Sequence, residues 1–530
     1  MPQFHRVTFR RGVVPNAVFS NDGKTIVYSA AWDGKPYEIF STQESSPESR
    51  ALGISDAFPV SISKNGEMAL IQGPIVRWAE TPGTLARVPV SGGAPREVAE
   101  GVFLADWSPD GKQLAVTRGT ATGQKIEYPI GQKIFENYGY ISSLKVSPKG
   151  DRIAFLDNPL GWDSAGYVTI IDTHGKTKVS SRRWVFARAV AWSPDGSEIW
   201  FTAAGQPGVM TELYAMDLKG HERLIAPLPG EFWIADIAAD GRVLLGQNLP
   251  TASLLAHLRG SAQETDLYWH DFSQLQDISP DGKQILFSEG GDATSPDPDF
   301  LAFTRKTDGS QAVRLGDGYP TSFSPDGQWA MVNPATQPAQ LLALPLHAGE
   351  SHQLTHDTIH HMYGRWLPDG KRIVFVGAET GHRPRYYMQE SLESAPKAIS
   401  GESIVFDRAA DDIVLSPDGR QLAAAMLDHS VQLLPIDGGQ AGTIAGATGF
   451  TPVAFCGEDS LLVYHSGEIP ARIRKVNLQT GAVSPWKELA PAYRTGLYGI
   501  QPIRVAPDCE SYAYSAVYFP ATVFVVSGLQ

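Results

Sequence analysis

Three imidazoles and a carboxylate crowd one stretch, LTHDTIHHMYGRW, where His356, Asp357, His360 and His361 stand among only 13 histidines in 530 residues. Imidazole nitrogens and a carboxylate oxygen are the donor set of a divalent metal or a polar ligand. The same residues also read as a polar connection, with Asp357 turning the chain and one histidine packed on a neighbour. A second cluster, GHRPRYYMQE, sets His382, Arg383 and Arg385 beside Tyr386 and Tyr387. Cation and ring together suit an anionic or carbohydrate-like ligand, or simply a solvated hairpin tip. In DATSPDPDF, the spacing of Asp292, Asp297 and Asp299 lacks the D-x-D-x-D-G rhythm of a calcium loop and reads as an acidic, Pro-stiffened loop.

Assembled catalytic motifs are missing from the sequence. Phosphoryl transfer requires a Gly-rich phosphate loop, a paired strand lysine, H-R-D and D-F-G, and none is present. A serine hydrolase requires G-x-S-x-G; the nearest approach, GWDSAG around Ser164, has the wrong spacing. The chain is therefore expected to be non-catalytic, with no cofactor and no bound metal. Cys456 and Cys509 are too few for a disulfide scaffold or a cysteine-based zinc site and read as two thiols, a single bridge being the alternative.

Lys and Arg number 44 against 57 Asp and Glu, a net charge of -13, and no basic stripe is long enough to track phosphates. Nucleic acid is excluded as the expected partner. No apolar run reaches the roughly 18 residues that span a bilayer, and the opening MPQFHRVTFRRGVV lacks the apolar core of a signal peptide. With 42% hydrophobic residues, 52 Gly and 38 Pro, the composition is that of a turn-rich chain with a packed core.

What must position these side chains is a repeat. S-P-D-G-K followed by alternating apolar residues recurs as WSPDGKQLAV from Trp107, VSPKGDRIAF from Val146, WSPDGSEIWF from Trp192, ISPDGKQILF from Ile278, FSPDGQWAMV from Phe323, WLPDGKRIVF from Trp366 and LSPDGRQLAA from Leu415. Weaker copies begin at Phe19, Ile62, Ile237, Phe455 and Val505, and in the last two Asp459 and Cys509 replace the glycine. The twelve glycine positions run from 23 to 509, a mean spacing of about 44 residues. Proline presets the turn and the following glycine accepts φ > 0, so Gly111, Gly196, Gly282 and Gly370 are expected to be structural. Alternating segments after each turn read as short strands. Four strands every 44 residues is the period of a β-propeller blade, so the fold class is all-β with twelve four-stranded blades. Trp107, Trp192 and Trp366, just before the turn, should pack between blades. Trp32 and Trp162 lie in hairpins, where an exposed ring would belong to a contact surface.

The chain starts with a fourth-type strand, RVTF at Arg6 to Phe9, and ends on a third-type one, VFVVSG at Val523 to Gly528, an offset that lets one blade close a ring from both termini. A similar junction lies mid-chain between LLAHLRG, Leu254 to Gly260, and DLYWH, Asp266 to His270. A cut near 261 gives six turns on each side, predicting two six-bladed propellers, 1–261 and 262–530, in preference to one ring or a seven-plus-five split.

The S-P-D-G-K turn followed by I-A-F resembles the TolB-like, or PD40, propeller repeat; the G-H and W-D marks of WD40 are missing. Longer stretches, FHRVTFRRG, IVYSAAWDGKPYEIFSTQESSPESRALG, GTLARVPVSGGAPREV and VSPKGDRIAFLD, resemble the C-terminal sensor region of bacterial membrane-bound serine/threonine protein kinases across the whole chain. That resemblance implies a module that binds an unknown small molecule or protein and signals to a kinase domain tethered through an upstream transmembrane helix, neither of which this sequence contains. It implies an extracytoplasmic location in such a kinase; the chain complete as given would be cytoplasmic. The ligand-contact candidates are His356, Asp357, His360, His361, Trp32, Arg383 and Arg385. Two other readings remain open: a propeller lyase or hydrolase with a metal site in channel-mouth loops, and a TolB-like scaffold of the cell envelope.

Overall fold

The clear repeats share one turn. In the copy at Trp107, the Ser108 hydroxyl donates to Asp110 (2.6 Å) and accepts the Gln113 N–H (2.9 Å), while the Gly111 N–H donates to the Ser108 carbonyl (2.8 Å). Ser193, Ser279, Ser324 and Ser416 do the same in their own copies. The hydroxyl thus supplies local partners for a backbone that is reversing direction. Gly111, Gly196, Gly282 and Gly370 lie at φ of +68°, +68°, +71° and +68°. Cys509 takes the left-handed conformation itself, at +56°, whereas in FCGEDS it is Gly457 (+69°), two residues before Asp459, that supplies it. Replacing any of the four glycines with valine is expected to cost about 1–3 kcal/mol. Gly282 should cost more than Gly370, since a Cβ at 282 meets the Ser511 Cβ at 3.0 Å and one at 370 meets nothing within 4 Å. Unchanged thermal midpoints in all four variants would contradict this.

The computed structural model describes residues 2–529 apart from 74–80, 121–122, 160–164, 206–210, 291–300, 335–337 and 406–412. Trp162, Ser164, Asp292, Asp297 and Asp299 lie outside the described residues. Among those described there is no helix, and hence none long and apolar enough to cross a membrane. Most repeats become four-stranded antiparallel sheets, the second and third sharing the long strand Arg96–Trp107 in one seven-stranded sheet; in the first, Gly12–Phe19, Thr25–Trp32, Glu38–Gln43 and Arg50–Ser55 pair in sequence order.

The chain divides into two units. Unit 1 is Met1–Leu249, Tyr493–Leu497 and Tyr518–Gln530; unit 2 is Pro250–Ala492 and Tyr498–Val517. In unit 1 the first strands of successive sheets, Gly12–Phe19, Ala57–Ile62, Arg96–Trp107, Tyr140–Val146, Phe186–Trp192 and Glu231–Ile237, each pack on the next, and the last packs on the first. Apolar clusters fill the spaces between neighbouring sheets, with Trp107 beside Phe58 and Val60, and Trp192 beside Leu156 and Ile170. This ring of radial sheets is a β-propeller. In unit 2 the corresponding first strands are Phe272–Ile278, Tyr319–Phe323, His360–Trp366, Val414–Leu415, Thr451–Phe455 and Leu497–Val505.

The division differs from the expected cut at 261. Val243–Asn248 pairs not with the strand that follows it but with Ala521–Ser527, which in turn pairs with Gln3–Arg6. Thr251–His257 instead joins the sheet of Tyr512–Tyr518 and pairs with Thr265–Asp266. Each closing blade therefore takes its third strand from the far side of the expected cut. The connections explain this. In the first blade, by contrast, Asp33 (φ +56°) and Gly34 (φ +72°), two adjacent left-handed residues, turn the chain back between the second and third strands. At the two exchange points the connecting dipeptides are Leu249-Pro250 and Phe519-Pro520. Proline cannot reach positive φ and biases the preceding residue toward extended backbone, so the chain continues instead of folding back.

The expectation of two free thiols is also corrected. Cys456 and Cys509 form a disulfide with Cα atoms 5.6 Å apart, within bridging range. The cysteines, 53 residues apart in sequence, occupy turns of consecutive repeats, which the ring of blades sets side by side.

Candidate functional site

The four residues of the histidine loop are not brought together. His361 begins the buried face of the strand His360–Trp366 and is fully buried; its Nε2 donates to Asp357 (3.0 Å to Oδ1), and its ring lies 4.1 Å from that of Phe375. Asp357 also accepts the Ile359 N–H (2.7 Å) and donates its own N–H to Gln340 (3.0 Å). His360 Nδ1 faces the Ala339 N–H at 3.4 Å, and His356 is exposed. Among the described residues no three His, Cys, Asp or Glu side chains are grouped to hold a metal. The Asp357–His361 pair fastens the loop to the strand that follows it.

The arginine hairpin is likewise tied inward. Arg385 donates from Nε to the Tyr387 hydroxyl (2.8 Å) and pairs with Glu379 (3.0 Å); His382 meets Glu402 at 2.7 Å. The hydrogen bond to Tyr387 raises the Arg385 pKa, while desolvation lowers that of Arg383. Tyr386 and Tyr387 are buried, with Tyr387 stacked on Phe375, so the expected exposed rings are not offered to a ligand. Trp32 is corrected for the same reason. It is 4% exposed and packs against Tyr28 and Phe40, because the tight Asp33-Gly34 turn keeps it within its strand opposite Gly12. A Cβ on Gly12 would stand 2.6 Å from the Trp32 ring, so that glycine makes room for the indole.

Charge is instead concentrated at one repeat position, the residue directly before the large apolar residue that precedes each turn. In unit 1 three of these residues are Asp106, Lys145 and Asp236. Asp106 accepts the Val146 N–H (2.7 Å) of the next blade and Asp236 accepts the Phe19 N–H (3.0 Å), so each carboxylate clasps two inner strands. Ser61, at the same position, accepts the Trp107 N–H (3.1 Å). Lys145 lies 3.7 Å from Asp106. Desolvation raises both carboxyls above the usual carboxylate value against the pull of Lys145; desolvation also pulls Lys145 down, but Asp106 and Asp236 outweigh it and raise the ammonium.

In unit 2 the position carries Asp277, Arg365 and Arg504. Asp277 accepts the Phe323 N–H (2.9 Å) and the Ile278 N–H (3.0 Å) and pairs with Arg365 (3.0 Å). Arg504, 5% exposed, donates to the Gln276 carbonyl (2.7 Å) and lies 3.5 Å from the Tyr363 hydroxyl. Gln276, 1% exposed, donates from Nε2 to Tyr319 (2.7 Å). Three inner strands, Phe272–Ile278, His360–Trp366 and Leu497–Val505, thus bring one carboxylate and two guanidiniums together. These residues escape a search for local clusters, since 88 residues separate Asp277 from Arg365. Aligning the repeats and reading one column, D-W, K-V, D-I, D-I, R-W, R-V, is the signal that finds them.

No protein-family model matches the chain, and no curated protein matches it. Solved structures do. TolB from Acinetobacter baumannii matches at 18% identity over 55% of this chain and 65% of its own length, with a TM-score of 0.25. The tricorn protease matches at 13% identity over 94% of this chain and 56% of its own, TM-score 0.33. An oligogalacturonate lyase in complex with manganese matches at 13% identity, 65% and 90% coverage, TM-score 0.31. The match thus spans less than two thirds of the TolB and tricorn chains.

Proposed function

We propose that this chain is a non-catalytic recognition module of two six-bladed propellers that binds a polar ligand on the inner strands of unit 2. The resemblance to kinase sensor regions supports a signalling role. The observation that carries the reading is the convergence of Asp277, Arg365 and Arg504 from three separate blades, since buried charge is costly and is retained where it is paired or used. The burial of His361 and its bond to Asp357 favour binding over a histidine-based reaction at that loop. The test is a thermal-shift screen of the whole chain against a panel of polar metabolites that includes ATP with magnesium. At least one compound should raise the melting temperature and be recovered unchanged, and Asp277→Asn should diminish its effect. Chemical conversion of the stabilising compound, or indifference to Asp277→Asn, would overturn the reading.

A further inference from the structure

Three consecutive blades of unit 2 are cut short at the rim. Their fourth strands, His352–Gln353, Lys397–Ala398 and Gly442–Thr443, have two residues each, whereas Val483–Leu489 in the next blade has seven. Beside Lys397–Ala398 lies a cavity of about 600 Å³. Lys397, Ala398 and Ile399 line one side of it, and Gln432, Leu434 and Gly438 of the following blade line the other. The near side is an open sheet edge. Lys397–Ala398 is the outermost strand of its blade, and Ala398, opposite Tyr387, is exposed. The Ile399 N–H donates inward to the Tyr386 carbonyl (2.9 Å), so by the alternation of an antiparallel ladder the N–H and C=O of Ala398 face outward. Such an edge is a template for one more strand.

Charge selects what that strand carries. The Lys397 ammonium reaches toward the next blade, where a Cβ on Gly438 would stand 3.7 Å from it, and among the described residues it has no carboxylate partner. Asp437 across the cavity is already paired with Arg372 (3.2 Å). Ile399, two residues on, shares the face of Lys397. A partner strand therefore sets an acidic side chain opposite Lys397 and an aliphatic one two positions away, against Ile399 and Leu434.

We infer that this rim groove of unit 2 takes up an extended segment of a partner protein, added as a fifth strand to the edge at Ala398, with an acidic and an aliphatic residue two positions apart facing the groove. It is a second surface, separate from the inner strands, and it engages protein rather than a polar metabolite.

The probes are acetylated and amidated threonine hexapeptides carrying one aspartate and one valine two positions apart, in both orders. Lysine-for-aspartate counterparts and copies N-methylated at alternate residues, in either register, accompany them. Fluorescence anisotropy with the full chain should show at least one aspartate peptide binding about tenfold or more tightly than its lysine counterpart. N-methylation should abolish binding in one register, where the backbone donors face the edge, and spare it in the other. Lys397→Glu should reverse the preference between the aspartate and lysine peptides. Ala398→Pro should abolish binding at an unchanged melting temperature, because the lost N–H faces outward and proline is tolerated on a sheet edge. If that variant misfolds, the N-methylated peptides and Lys397→Glu still decide. Binding of neither aspartate peptide, equal binding of the lysine peptide, or indifference to N-methylation in both registers overturns the inference. So does sedimentation velocity in which the wild type self-associates and Ala398→Pro does not, since the occupant would then be a second copy of this chain.

Discussion

Replacing Lys145 with methionine is expected to destabilise unit 1 by about 3–5 kcal/mol at neutral pH, the usual cost of leaving buried charge without its partner. The variant keeps Asp106 and Asp236 near each other on the inner strands and removes the ammonium between them. Desolvation already holds both carboxyls above their ordinary value of 3.8, so their charged forms are disfavoured in the folded state. A raised carboxyl contributes stability that is complete below its unfolded pKa and is lost as pH rises through the folded one. Removing Lys145 raises the folded values further and deepens the loss at neutral pH. The difference between variant and wild type should therefore shrink as pH falls toward 5. Denaturant unfolding of both proteins at pH 7 and pH 5 measures it. A loss below about 1 kcal/mol at pH 7, or one that grows on acidification, would show that the triad is not coupled as described.

Separating the chain at residue 261 is expected to leave both pieces unfolded, although each carries six turns. Residues 1–261 lack Ala521–Ser527, whose Val523, Val525 and Val526 are buried against the neighbouring strands, and each fully buried valine is worth about 1.5–3 kcal/mol. The piece also exposes Val243–Asn248 as an open strand edge. The following strand, Thr251–His257, cannot substitute, because Leu249-Pro250 does not supply the left-handed residues of a tight hairpin. A rearranged chain restores what is missing. Ser527 lies opposite Gln3 in adjacent antiparallel strands, so residues 518–530 placed directly ahead of residues 1–249 form a hairpin with them and complete the closing blade. This rearranged unit should unfold in a single cooperative transition, followed by circular dichroism, where 1–261 shows none. Cooperative folding of 1–261 alone would mean that Thr251–His257 can take the place of Ala521–Ser527.

The repeat, the strand alternation, the left-handed glycines and the all-β class were legible in the amino-acid order, because each depends on residues within one hairpin. Gly111 needs only its own Pro and Asp to define its conformation. The tryptophans before the turns were legible for the same reason: alternation alone points Trp107 and Trp192 into the sheet interfaces. Even the exchange of third strands left a local trace, in Leu249-Pro250 and Phe519-Pro520, where the first blade has Asp33-Gly34.

The candidate site was not legible as a cluster. His356, Asp357, His360 and His361 are close in sequence, but the strand that begins at His360 buries His361, leaves His356 in solvent and uses Asp357 as a fastening. Trp32 looked like a surface ring because it adjoins a turn, yet a two-residue turn leaves its neighbours inside the sheet. Asp106 and Asp236, or Asp277 and Arg365, meet only when a ring of blades closes, since each blade contributes a single residue at that level. The sequence by itself determined the blade and its turn, which are short-range consequences of proline, glycine and alternating apolar residues. Only the tertiary structure decided which strand completes each closing blade, that Cys456 reaches Cys509, and which charges face one another, because these depend on ring closure bringing together residues tens to hundreds of positions apart.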